Sequence, residues 1–85
     1  LICQDKENAI ETRMQNREDH LKYVAETNVV KYAGPFLSED DTMIGSLIVI
    51  DVENKNEAKK WSENDPYKKA GLFGKVEIFK FKHLI

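Results

Sequence analysis

The nine residues from Ile44 to Val52 constrain the fold more than any other part of the chain. Ile48, Ile50 and Val52 share one side of an extended segment, and Leu47 and Val49 share the other. A strand sends successive side chains to opposite faces. A segment apolar on both faces therefore belongs in the interior of a sheet, paired on both edges and covered on both sides. The chain has only 85 residues. A domain of this size buries about 60% of the surface its unfolded form exposes, which leaves material for a single core. One central strand therefore dictates the layout of everything around it.

The flanking segments supply the partners. Leu1-Ile2-Cys3-Gln4 is a short apolar stub that reads as a strand. Asn8-Ala9-Ile10-Glu11 has the form of a helix start in which Asn8 caps and Glu11 reaches back. Ile10, Met14, Leu21 and Val24 then recur at helical spacing, which predicts one helix from Asn8 to about Ala25, closed by Asn28. Val29 to Ala33 reads as a strand ended by Gly34-Pro35. Ser38 to Thr42 is a polar loop. Beyond the central strand, Asn54-x-x-Glu57 starts a short helix that carries Ala58 and Trp61 inward. Asp65-Pro66 starts a further turn that Gly71 ends. Val76 to about Lys82 reads as a last strand bearing Ile78, Phe79 and Phe81.

The order β-α-β-β-α-β is the ferredoxin-like arrangement, an α+β fold with an antiparallel sheet whose first and third strands are central. Helices cover one face of such a sheet and leave the other bare. Leu47, Val49 and some of Tyr32, Phe79 and Phe81 fall on that bare face, a composition suited to association. A homodimer packed through the open sheet faces is the expected solution.

Composition excludes several functions. Thirteen basic against fifteen acidic residues give a formal charge of −2. That balance argues against nucleic acid as a partner, as does the lack of paired stacking aromatics between Gly71 and Phe81. The apolar run Leu47 to Ile50 is far short of a membrane span. A lone Cys3 forbids an intrachain disulfide and fits a reducing, cytoplasmic setting. Cys3, His20 and His83 show no metal-ligand spacing, and no phosphate loop or dinucleotide-binding glycines occur, so neither metal nor cofactor is expected.

Candidate chemistry gathers on the first helix. At 100° per residue, Met14, Leu21 and Val24 fall within about 40° of Ile10, and Arg17 falls inside that stripe. Arg13 and His20 border it. A buried guanidinium demands a carboxylate or an anion, unless the side chain snorkels to water. His20 is the group best able to exchange protons near neutral pH, whereas His83 is incidental. Asp65 before Pro66 is a helix cap with lone pairs left to orient an imidazole. Ser46 and Tyr67 offer hydroxyls, and Gly34 and Gly45 permit close backbone approach.

Taken in order, Gln4-Asp5-Lys6, Arg13-x-x-x-Arg17-x-x-His20-Leu21, Ala33-Gly34-Pro35, Gly45-Ser46, Ala58-x-x-Trp61 and Asp65-Pro66-Tyr67-x-x-Ala70-Gly71 resemble YCII-related (YciI-like) proteins across nearly the whole chain. The resemblance implies a dimeric α+β barrel of ferredoxin-like subunits and a site built on a His–Asp pair, here His20 and Asp65. It also implies dehydrochlorinase-type elimination on a chlorinated aromatic as one activity associated with the family. The short connection from His20 to Gly34 and the acidic loop Glu39 to Asp41 are expected to shape the pocket differently.

Three readings follow. In the first, a lyase- or isomerase-type enzyme uses His20 as acid/base oriented by Asp65. Arg13 or Arg17 then holds an anionic oxygen, and Gly34, Pro35, Ser46 and Tyr67 line the cleft. In the second, an accessory dimer binds a small anion without catalysis. In the third, Arg17 pairs internally with Asp65 or another acid and His20 is an ordinary edge residue.

Overall fold

The doubly apolar segment lies inside the sheet. The computed structural model describes residues 1–85. They form β1 (Ile2–Asp5), α1 (Ile10–Gln15), α2 (Arg17–Thr27), β2 (Val30–Leu37), β3 (Met43–Ile50), α3 (Lys55–Glu63), α4 (Pro66–Lys69) and β4 (Phe73–Glu77). The four strands make one sheet in the order β2-β3-β1-β4, and every pairing is antiparallel. The first and third strands are central, as the ferredoxin-like order requires.

The registers show which residues share a face. Ile2 lies opposite Leu47, Cys3 opposite Ser46 and Gln4 opposite Gly45. Cys3, Ser46 and Ile48 therefore face the helices, where all three are buried. Trp61 from α3, Tyr67 from α4, and Leu72 and Phe73 at the start of β4 complete the core with Cys3 and Ile48. Two hydrogen bonds lock the helix layer: Tyr23 Oη donates to the Trp61 carbonyl at 2.7 Å, and Trp61 Nε1 donates to Thr27 Oγ1 at 2.9 Å. On the other face Tyr32 and Phe36 are exposed and Leu47 and Val49 half-buried. Gly45 sits where β3 crosses β1. A Cβ there would stand 2.3 Å from the Cys3 carbonyl oxygen and 3.2 Å from the Phe36 ring, so the backbone approach requires glycine.

The caps behave largely as their residue types dictate. Asn54 Oδ1 accepts from Glu57 N at 2.9 Å, and Asp65 Oδ1 accepts from Tyr67 N at 2.9 Å. Asn28 and Gly71 close their helices in the left-handed region, with φ of 55° and 73°.

Several expectations are corrected. The first helix is two helices, broken at Asn16, whose side chain donates to the Thr12 carbonyl at 2.8 Å. Asn8 is not its cap: it adopts φ 55°, and Ala9 takes the cap position without a side-chain bond. The supposed apolar stripe is not the buried one: the helices turn inward the edge on which Arg13 and His20 lie. Ile10, Met14 and Leu21 are exposed, whereas Arg13 and His20 are buried at 3% and 7% relative exposure.

β2 does not stop at Gly34-Pro35 but runs through them to Leu37, pairing Gly34 with Leu47 and Pro35 with Ser46. A proline lacks the donor a ladder needs, and β2 is an edge strand where that donor is dispensable. Gly34 meets no close backbone; nothing lies within 4 Å of a Cβ built on it. The last strand ends at Glu77, so Phe79 and Phe81 lie beyond the ladder, exposed at 60% and 62%. The chain after β4 brings the His83 ring edge-on to Tyr32, with centroids 5.7 Å apart.

Candidate active site

Two buried polar pairs flank one aromatic ring. The first forms where the end of β1 meets α1. Strand alternation puts Asp5 on the same face as Cys3, directed at the helices. Arg13 Nε donates to Asp5 Oδ2 at 2.8 Å and Arg13 Nη2 to Asp5 Oδ1 at 3.0 Å, a two-pronged ion pair. Nη2 also donates to Ser46 Oγ on β3 at 2.8 Å. Burial opposes the Arg13 charge, but hydrogen bonding and attraction from Asp5 outweigh it, and the guanidinium is held above its ordinary pKa.

The second pair joins α2 to the start of α4. His20 Nδ1 lies 2.8 Å from Asp65 Oδ1, the oxygen that also caps α4. An ionised carboxylate only accepts, so the proton in this bond is on Nδ1, and in the neutral imidazole Nε2 then carries the lone pair. Nε2 has no hydrogen bond, yet no buried side-chain nitrogen or oxygen in the molecule lacks a partner. Nε2 therefore opens onto the surface although the residue around it is buried.

Tyr67 joins the two pairs. Its ring stacks on the His20 imidazole at 4.0 Å between centroids and 11° between planes. The Arg13 guanidinium carbon lies 4.9 Å from the centre of the same ring, and Phe73 meets it edge-on at 6.0 Å. Burial raises the Tyr67 phenol above its usual pKa, against the opposing pull of Arg13 and Arg17. The residue is thus a neutral phenol at physiological pH.

The sequence-derived candidates divide accordingly. His20, Asp65, Tyr67, Arg13 and Ser46 are brought together by hydrogen bonds and ring contacts. Pro35 borders Ser46 across the ladder, and Gly34 lies one register step farther along the exposed edge strand. Arg17 is exposed rather than central to the apolar stripe, and it forms no ion pair with Asp65 or any other acid. Because it precedes His20 by three helical residues, its side chain rises beside the imidazole. Sequence reasoning missed Asp5. The alternation of β1 places Asp5 with Cys3 on one face, but only the fold shows that this face is the inward one. No group of three or more His, Cys, Asp and Glu residues could hold a metal ion.

Comparison with known proteins places this geometry. The model of the YCII-related domain matches residues 1–82. The chain belongs to the YCII-related family. An uncharacterized protein of Haemophilus influenzae is 34% identical over 91 residues, spanning 96% of this chain and 93% of its own. Protein YciI of Escherichia coli O6:H1 is 28% identical over the same span. Among solved structures, this YCII-related chain is similar to 5-chloro-2-hydroxyhydroquinone dehydrochlorinase (TftG) from Burkholderia phenoliruptrix AC1100. The TM-score is 0.86 at 30% identity, covering 96% of this chain and 90% of that one, and TftG was solved in complex with 2,5-dihydroxybenzoquinone. The α+β subunit described above is that of the YciI-like dimeric α+β barrel fold.

Proposed function

We propose that this YCII-related protein is a small lyase- or isomerase-type enzyme that uses His20 as general acid/base on a small anionic, oxygenated substrate. The observation that carries the reading is the 2.8 Å bond from His20 Nδ1 to a buried Asp65 carboxylate, which leaves Nε2 free at the surface. In this scheme Nε2 takes a proton from a substrate hydroxyl or an activated C–H. Asp65 is a positioning residue: it fixes the tautomer and stabilises the imidazolium that forms. The proton then returns to another position or leaves with the departing group.

Charge on the substrate is met by Arg17, exposed and one turn before His20. Arg13, already neutralised by Asp5, holds the wall of the site with Ser46 and Tyr67. Gly34 and Pro35 on the exposed edge strand border the opening. The likeness to TftG, a dehydrochlorinase solved with 2,5-dihydroxybenzoquinone, supports an oxygenated ring as the substrate class. Assembly as a homodimer through the open sheet face completes the proposal.

The test is turnover on halogenated hydroxyhydroquinones and enolisable acids, read by chloride release and by solvent deuterium uptake. His20→Gln should lower the rate by roughly 10²–10⁴-fold with the fold retained. A folded variant with full activity would remove His20 from the mechanism. Ligand binding that survives in the wild type without any turnover would instead make the chain a binding dimer, and Arg17→Ala should then abolish that binding.

A further inference from the structure

Tyr67 is 3% exposed, and a phenol that is almost wholly buried ordinarily spends its hydroxyl on a protein acceptor. This one donates to none. The two other aromatic donors of the core do: Tyr23 Oη to the Trp61 carbonyl and Trp61 Nε1 to Thr27 Oγ1. The Tyr67 ring is meanwhile held on several sides, by His20 at 4.0 Å, Arg13 at 4.9 Å, Phe73 at 6.0 Å, and by Asp65 through its backbone N–H. A rigidly held ring with an uncommitted O–H is the arrangement of a preorganised donor. The side beside the oxygen is taken by Arg13, which has no acceptor to offer. The hydroxyl oxygen can accept from Arg13, which leaves its own proton to donate. The hydroxyl and His20 Nε2 both belong to one stacked pair of rings, 4.0 Å between centroids, and that pair is the wall a ligand would meet.

We propose that the Tyr67 hydroxyl is the donor that recognises a substrate oxygen, an enolate, phenolate or quinone carbonyl, placed beside the atom whose proton His20 exchanges. This rests on the acid/base reading above and deepens it. The wall then offers one acceptor, Nε2, and one donor, Oη. It selects a ligand carrying an acceptor oxygen close to an exchangeable proton and rejects an amine in the oxygen's place. Burial keeps the phenol protonated and therefore able to donate.

The test is Tyr67→Phe, which retains the ring and every ring contact. Because the hydroxyl serves no protein acceptor, thermal stability should stay within a few degrees of wild type. Affinity for 2,5-dihydroxybenzoquinone, measured by calorimetric titration, should fall about tenfold to a hundredfold, the effect of a hydrogen bond to a charged oxygen. Equal affinity in wild type and variant would overturn the donor role while leaving His20 as acid/base. Failure of the wild type to bind the quinone would overturn the oxygen-ligand class named here, and the His20→Gln turnover result is read independently of it.

Discussion

At the scale of single residues, the account turns on carboxylates that sit indoors. Asp5 is valuable because Arg13 is buried with it. Replacing Asp5 by Ala leaves a guanidinium uncompensated in the interior and should cost about 3–5 kcal/mol in urea unfolding. The double replacement Asp5→Leu with Arg13→Met removes both charges and should recover much of that loss. Cys3 gives a second residue-scale prediction. Burial pushes its thiol up to about 12 from an ordinary 9. The folded protein thus keeps a proton that the unfolded chain releases above pH 9, so stability is complete below that pH and declines between 9 and 12. Chemical unfolding across this window should show a decline that Cys3→Ala makes shallower, by up to about 1.4 kcal/mol per pH unit. His20 and Asp65 were legible as candidates because a helix edge and an Asp-Pro cap are local features. The Asp5–Arg13 pair was not, because a strand of four residues leaves its inward side ambiguous until its neighbours are known.

At the scale of elements, the sheet tolerates and forbids glycine replacement in a way that exposes its geometry. Gly45→Ala drives a Cβ to 2.3 Å from the Cys3 carbonyl and should cost at least about 2 kcal/mol by prising β3 from β1. Gly34→Ala meets nothing and should be neutral or slightly stabilising, since alanine has less freedom to lose. Thermal melts of the two variants check both statements. The order of strands was readable from the apolar character of Ile44 to Val52 on both sides. The ends of β2 and β4 were not, because edge position excuses Pro35 and β-forming residues such as Phe79 need a partner strand to become a strand. The helical wheel misplaced Arg17 because the buried face is not the apolar stripe but the edge beside it, where Arg13 and His20 meet the acids Asp5 and Asp65.

At the scale of the whole molecule, the open sheet face is what a lone subunit leaves unfinished. Tyr32, Phe36, Leu47 and Val49 make an apolar surface on that face, which in the proposed homodimer a two-fold copy of the chain covers. Light scattering at micromolar concentration should report a dimer. Leu47→Glu should yield a monomer of lower melting temperature that keeps the Asp65-capped helix and the His20 pair. A wild type that stays monomeric would contradict this assembly. The site itself depends on side chains from α2 and α4, 45 residues apart in sequence, holding one tautomer between them. The nitrogen spectrum of the neutral form of the His20 imidazole reads that tautomer directly. The account predicts a protonated Nδ1 beside a bare Nε2; a proton on Nε2, with Nδ1 unprotonated, would contradict it.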